Sequence, residues 1–395
     1  MQQTSLAINK HREWKGKIET KCKVDLTEQD MLCVAYTPGV AEPCLEIQRN
    51  IDESFSLTGR GNTVAVITDG TAILGLGNIG PEAGMPVMEG KCALFKTFGG
   101  VDAVPLCLKT TDTEEIIKTV KYLEGSFGGI NLEDISAPRC FEIERRLKQE
   151  LSIPVFHDDQ HGTAIVVGAA LINALKIVGK KMNEITAVVN GAGAAGIAIG
   201  KYLLALGVKD VIMCDKFGVI CKGDRFDNPA HEEISRITNK NRIKGALADA
   251  LRGADLFVGV SVGNVVSKQM IAGMNKDAIV FPLANPVPEI SYDDAKAAGA
   301  AVVGTGSSLY PNQINNVLVF PGVFRGALDV RASDVNLQMM LAASYAIAEG
   351  VSPRQLEADC VIPRATDKEV HARVAQAVAK AAEQSGVAQA KATQN

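Results

Sequence analysis

Three carboxylates close two apolar runs, Glu133 and Asp134 in GINLEDIS and Asp159 in IPVFHDDQHG, and a glycine-rich GAGAAG follows at 191–196. Oxygen-only ligands in that number suit a hard divalent ion such as Mg²⁺ or Mn²⁺, which keeps coordination positions free for water or substrate. GAGAAG (Gly191, Gly193, Ala194, Ala195, Gly196) lies between the apolar run ITAVVN and an Ala-rich helical stretch. In that context a backbone approaches a pyrophosphate at a helix N-terminus. Asp215 closes the next apolar run, 24 residues after Gly191, near the ~20 expected of an acid that accepts ribose hydroxyls. Such an acid favours NAD and repels the 2′-phosphate of NADP. Lys216, Lys222 and Arg225 lie close enough in sequence to neutralise a phosphate, so NADP stays open. A metal beside a hydride acceptor points to oxidation of a hydroxy acid.

Strand-end acids usually cap helices. Clustering sets these apart, since Glu133 and Asp134 are adjacent and Asp159 follows the next strand. Asp158 should point away from the metal if the chain is still extended there, which suits a supporting role. The pair His157 and His161 has the i, i+4 spacing of the zinc-binding H-E-x-x-H and raises a hydrolase reading. That pattern needs both histidines in a helix, whereas Pro154 and a strand lead into His157 and Gly162 follows the pair, so hydrogen-bonded structural histidines are expected. A second G-x-G-x-x-G, GLGNIG (Gly75, Gly77, Gly80), precedes Pro81 and Pro86. It reads as a loop from which no helix can open. Oxidising an alcohol also needs a base. Lys91 and Lys96, on a largely apolar stretch where desolvation and a metal lower a lysine pKa, and Tyr36, whose phenol can give a proton, are the candidates. Residue types alone leave that choice open.

These groups must be positioned by an α/β scaffold. From position 63 short β-rich runs (TVAVIT, DAVPLCL, GINL, IPVF) alternate with helical stretches near 112–124 and 138–150, the rhythm of a parallel sheet whose ligands bind beyond the strand ends. A helix beginning at Thr163 leads to ITAVVN, DVIMCD, ADLFVGVS, AIVFPLAN and AAVVGTG, a second α/β region. The 395 residues exceed the ~250 to 300 at which one core stops growing. The reading is an N-terminal α/β substrate and metal domain (1–160), a Rossmann-type NAD(P)-binding domain (161–325) and C-terminal helices (326–395) that pack back.

A net charge of −4 gives no basic footprint for nucleic acid or anionic membrane. Nine cysteines without a C-x-x-C pair signal neither a disulfide framework nor a thiolate zinc site. With no apolar h-region in MQQTSLAINKHREWKGK and no apolar run near ~18 residues, a cytoplasmic location is expected, without a membrane partner.

Taken together, AYTPGVAEPC, TDGTAILGLGNIG, GMPVMEGKCALFK, NLEDI, FHDDQHGTA, GAGAAG, LANPVPE and NNVLVFPGVFRGALDVRA resemble the malic enzymes, in particular their short bacterial-type form. The resemblance implies oxidative decarboxylation of L-malate to pyruvate with NAD or NADP, Mg²⁺ or Mn²⁺ as metal, and a homodimer. It assigns Tyr36 as proton donor, Lys91 as base, Glu133, Asp134 and Asp159 as metal ligands, and Asp158 as the acid supporting them. Asn285 and Asn316 fall where the family contacts substrate and nicotinamide. Larger members carry an arginine before ILGLG that pairs with a malate carboxylate, where this chain has Ala72. Rival readings are a malolactic-type or oxaloacetate decarboxylase on the same site, a zinc hydrolase, and a catalytically silent NAD-binding regulator.

Overall fold

The β-branched runs of the first half form four short strands, β1 (Thr63–Thr68), β2 (Asp102–Cys107), β3 (Gly129–Leu132) and β4 (Val155–His157). They pair in parallel in the order β2-β1-β3-β4. The computed structural model describes residues 2–391. Parallel neighbours require crossovers, and helices Pro81–Gly99, Thr113–Leu123 and Arg139–Glu150 supply them. Thr113–Leu123 shows why such a segment is helical: Ile116, Ile117 and Val120 fall on one buried stripe, and Asp112 caps the start by accepting from the Glu115 N–H at 2.9 Å.

The second sheet contains β5 (Thr186–Asn190), β6 (Asp210–Asp215), β7 (Gly218–Val219), β8 (Leu256–Gly259), β9 (Ile279–Pro282) and β10 (Val302–Val303). Its order is β10-β9-β8-β5-β6-β7, parallel except for β7. The direction of winding reverses between β5 and β8, which opens a crevice beyond their C-terminal ends.

Helix Asp158–Val178 joins the two sheets. It starts five residues before the Thr163 expected from sequence, because β4 ends at His157 and the acids that follow suit a helix's positive first turn. By length and apolarity it could cross a membrane, yet 72% of its apolar window is buried in the protein. It is a core helix, packed against Ala194–Leu206 and Leu337–Ala348. The limits expected at 160 and 325 both fall inside helices, this one and Phe320–Asp329.

Helices Phe320–Asp329, Leu337–Ala348 and Lys368–Gln384 pack together, and the first also packs on Pro81–Gly99. Close approach depends on Gly322 and Gly326: a Cβ there would lie 2.7 Å from the Val374 side chain and 2.3 Å from the Ala375 carbonyl. By contrast, helices Gln29–Ala35 and Ala41–Arg49 bury no residue. Leu26, Met31, Leu32, Val34 and Leu45 stand exposed along this N-terminal arm.

Overpacking of a tight contact costs roughly 1–3 kcal/mol. Gly326→Val should therefore lower the thermal midpoint by several degrees, whereas Gly125→Ala, whose Cβ meets open space, should not. Equal midpoints in differential scanning fluorimetry would refute this account of the helix contact.

Candidate active site

The centre of the site is a buried amine among carboxylates. Helix Pro81–Gly99 turns Met88, Lys91, Cys92 and Phe95 inward, and Lys91 is only 6% exposed. Contrary to expectation, this helix opens directly after GLGNIG, with Gly80 as its N-cap at φ 84° and Pro81 in the first turn. A proline there loses nothing, since first-turn N–H groups lack intrahelical partners and its ring presets φ. Pro86 lies inside the helix without ending it.

Lys91 Nζ donates to Glu133 Oε1 at 2.8 Å and to Asp158, and lies 4.0 Å from the centroid of the Phe320 ring. Asn131, on β3, donates Nδ2 to the other Glu133 oxygen at 2.9 Å. From the second half of the chain, Asn316 Nδ2 donates to Asp158 Oδ2 at 2.5 Å. Asp158 thus points into the site, not away, because the chain is already helical there. Gly162 makes room for it: a Cβ one turn on would come 1.9 Å from Asp158 Oδ1. Asp159 lies beside Asp134, whose backbone N–H donates to Asp159 Oδ2 at 2.7 Å. Lys96 instead pairs with Asp102 on the exposed end of the helix, and takes no part.

Without a cation, the acids dominate the electrostatics of Lys91. Burial works against the Lys91 charge, but Asp158 and Glu133 outweigh it and hold the amine above the usual lysine range. Burial pushes every carboxyl up, and repulsion from neighbouring acids adds to it at Glu133, Asp134 and Asp158. Asp134 rises to about 9 with Asp159 and Glu133 close by, Asp158 rises to about 8 despite the opposing pull of Lys91, and Glu133 and Asp159 also rise. One ammonium faces four acids. Asp134 Oδ2 and Asp158 Oδ1 are buried without hydrogen-bond partners. This under-neutralised, all-oxygen set fits a hard divalent cation. Among the described residues, no three acidic or imidazole side chains converge as a closed coordination shell; Glu133 is turned to Lys91 and Asn131, and Asp159 to the Asp134 N–H.

At the second sheet, Gly191 adopts φ 112°, and a Cβ there would lie 2.5 Å from the Val260 carbonyl across the β5/β8 crevice. A Cβ at Gly196 would sit 1.6 Å from the Gly191 carbonyl, so the turn closes only without side chains, while Gly193 faces open space. Gly193 caps helix Ala194–Leu206, leaving the first-turn N–H groups of Ala194, Ala195 and Gly196 free for an anion. Asp215 ends β6 on the wall of an adjoining cavity of about 750 Å³, lined also by Lys216 and Arg225. Beneath it, buried Glu289 accepts from the Ser261 N–H (2.7 Å), the Ser261 hydroxyl (3.0 Å) and the Ala284 N–H (3.1 Å), and Asn190 donates to Ser261 Oγ at 2.8 Å. These bonds tie the ends of β5, β8 and β9 together. Asn285 follows, and the loop of the first half comes so near that a Cβ at Gly75 would lie 2.7 Å from the Asn285 carbonyl.

The rings of Tyr36 and His157 take no part in these networks. Tyr36 is 66% exposed on the N-terminal arm, whose helices Gln29–Ala35 and Ala41–Arg49 bury no residue. His157 is not hydrogen-bonded through its ring; it is buried and held neutral, with burial lowering its pKa to about 4. His161 does bond, to buried Glu144 at 2.8 Å, and Glu144 also accepts from Gln160 and the His157 N–H. Glu144 thus holds His161 by its ring and His157 by its backbone, and the two rings do not converge on a common ligand position.

The chain matches the family described as "Malic enzyme, N-terminal domain" over residues 15–115 and 109–148, and "Malic enzyme, NAD binding domain" over 160–383. It is 56% identical over 383 residues to the bifunctional malic/malolactic enzyme of Bacillus subtilis, covering 97% of this chain and 93% of that one. The NAD-dependent malic enzyme of Geobacillus stearothermophilus is 54% identical, over 94% of this chain and 78% of its own. The crystal structure of an NAD-dependent malic enzyme from Thermotoga maritima superposes with a TM-score of 0.91 at 50% identity, covering 94% of this chain and 98% of that one.

The chain belongs to the malic enzyme family. It is an NAD(P)-dependent oxidoreductase with the two-part α/β architecture of that family. Several groups around the malic enzyme site escaped the sequence reading. Asn131 carried a signal, a polar residue inside an apolar strand. Glu144 and Glu289 carried none, since nothing in a helix pattern or in NPVPE announces a buried acid.

Asp134 links this site to stability. With a folded pKa near 9 against ~3.9 unfolded, it favours folding fully below about pH 4 and loses that contribution as pH rises toward 9. Mn²⁺ should therefore raise the melting temperature over an EDTA-treated sample by an increment that grows between about pH 5 and pH 9. An increment that stays flat or shrinks would count against a cation at these acids.

Proposed function

We propose that the chain catalyses the divalent-metal-dependent oxidative decarboxylation of L-malate to pyruvate and CO₂, with reduction of NAD(P)⁺. The buried Lys91–Asp158–Glu133 cluster, joined to Asp134 and Asp159, is the observation that carries the reading. In it Glu133, Asp134 and Asp159 hold Mg²⁺ or Mn²⁺. Bound here, the dinucleotide would supply the acceptor for a hydride from malate C2, and the cation would supply positive charge to stabilise the C2 oxygen.

The chain's own groups do the rest. Lys91, relieved of its proton once the acids around it are otherwise engaged, takes the C2 hydroxyl proton as hydride leaves, giving oxaloacetate. Asp158 holds the lysine in place from one side and Asn316 holds Asp158. CO₂ then departs from C4 and leaves an enolate. Tyr36, whose phenol hydroxyl can donate, delivers a proton to C3 and completes pyruvate. Asn285 orients the substrate and nicotinamide where the two halves meet, and the approach of the Gly75 loop excludes water as they close. NAD is the preferred dinucleotide, because Asp215 repels a 2′-phosphate.

Tyr36 requires the N-terminal arm to be packed. We therefore take the working unit as a homodimer in which a second copy covers the arm's exposed apolar residues, and its location as the cytoplasm, in keeping with nine cysteines lacking any pairing pattern. Sedimentation at micromolar concentration should give a dimer, and a monomer would sink that proposal.

A second activity is favoured by the Bacillus subtilis relative, whose name includes malolactic. Decarboxylation of malate to lactate yields no net NADH. Proton NMR of the product beside absorbance of the reduced cofactor separates the two, and pyruvate with stoichiometric NADH is the expected result.

Asp159→Ala should abolish turnover with malate yet bind NADH nearly as the wild type does, since the dinucleotide turn lies beyond residue 185. Retained turnover in metal-depleted buffer would remove Asp159 from the metal site. Lys91→Ala should block hydride transfer from malate, with partial recovery on adding small primary amines. In contrast, Tyr36→Phe in D₂O should lose stereospecific deuterium at C3 of pyruvate, and wild-type stereospecificity would take the acid's role from Tyr36.

A further inference from the structure

Asp215 has a neighbour that neither the glycine motif nor the strand pattern announces. His231, on helix Pro229–Ile237, lies on the wall of the same 750 Å³ cavity. Its Nε2 is 2.8 Å from the Ala192 carbonyl of the glycine turn, and its Nδ1 is 4.0 Å from Asp215 Oδ2. A carbonyl can only accept, so Nε2 carries the proton and the Nδ1 of the neutral ring is a bare acceptor. Phe226 stands edge-on to the ring, 6.1 Å away at 84°. The other Asp215 oxygen already accepts from the Phe217 N–H at 2.7 Å. Two acceptors, Asp215 Oδ2 and His231 Nδ1, therefore stand side by side facing the cavity.

Three further charges share the cavity with this pair. Lys216, Arg225 and Asp227 line the same cavity from the loop after β6, and the glycine turn presents only backbone. On the histidine's own helix, Glu232 pairs with Arg236 and Glu233 with Lys201 at 2.7 Å.

We propose that His231 is a further specificity-determining residue for the dinucleotide. Unprotonated, it adds a second acceptor for the adenosine ribose hydroxyls; protonated, it donates to Asp215 and cancels the charge that turns a 2′-phosphate away. The preference for NAD over NADP is then a function of pH, and relaxes as the solution becomes acidic. This deepens the cofactor assignment made above and rests on it.

The test uses binding alone. Fluorescence titration of the metal-loaded, full-length protein with NADH and NADPH, without malate, gives the ratio of their dissociation constants between about pH 5.5 and 8.5. The 2′-phosphate itself gains a proton near pH ~6 and contributes to any change, so the comparison is with His231→Gln, which keeps a donor for the Ala192 carbonyl but cannot be protonated. Cancelling a unit charge at ~4 Å in water-like surroundings is worth a factor of ~5. The fall in the NADPH-to-NADH ratio on acidification should be about fivefold larger in the wild type than in His231→Gln. Asp215→Asn should show only the phosphate's own share, and adding His231→Gln to it should change nothing further. The same fall in wild type and His231→Gln would overturn the proposal. Should His231→Gln fail to bind, a full wild-type fall in Asp215→Asn would do so instead. Failure of the wild type to bind either nucleotide would overturn the dinucleotide reading itself, a result distinct from binding with a ratio independent of pH.

Discussion

Excess buried negative charge is the constraint around which this protein is built. Four acids, Glu133, Asp134, Asp158 and Asp159, share one interior with a single ammonium, and burial raises all four. Ionised groups leave water at a cost of several kcal/mol each unless partners compensate. Lys91, Asn131, Asn316 and backbone N–H groups such as that of Asp134 supply partners, yet Asp134 Oδ2 and Asp158 Oδ1 are left without one. The arrangement makes sense as the protein half of a site completed by a cation, and a core built for stability alone would not contain it.

Position follows from the sheets. Acids at the C-terminal ends of β3 and β4 meet because neighbouring parallel strands end at the same edge. Lys91 reaches them from the crossover helix, and Asn316 and Phe320 reach them from beyond the second sheet. The cluster is therefore shared between the two halves of the chain. The network under Glu289 does the corresponding work at the cofactor edge, fixing three strand ends with four hydrogen bonds.

Much of this was legible before any coordinates. Strand runs, strand-end acids and the second glycine motif carry their meaning in local pattern, and the structure puts strands where those patterns fall. What failed did so for identifiable reasons. Pro81 was read as a helix breaker, although the first turn is where proline fits. Asp158 was assigned an outward direction on the premise of an extended chain, and one turn of helix reversed it. How many acids surround Lys91, which sets the direction of its shift while no cation is bound, is a three-dimensional count that spacing does not contain. Asn131, Glu144, Glu289 and His231 act through partners distant in sequence. Tyr36 shows the opposite case, a residue singled out by motif that stands 66% exposed on the N-terminal arm.

The helix Asp158–Val178 begins at the acids of the first sheet and then runs as core beneath the second. Its register therefore sets how far the acids at its first turn stand from its far end, at 1.5 Å per residue. As a heritable unit, this means that the cofactor half cannot be exchanged among relatives by recombination at the apparent domain limit near 160. A crossover there divides the first turn from its own helix. Junctions placed after Val178, in the short connection before β5, carry the acids and the helix together, and that is where a functional chimaera has room to be made.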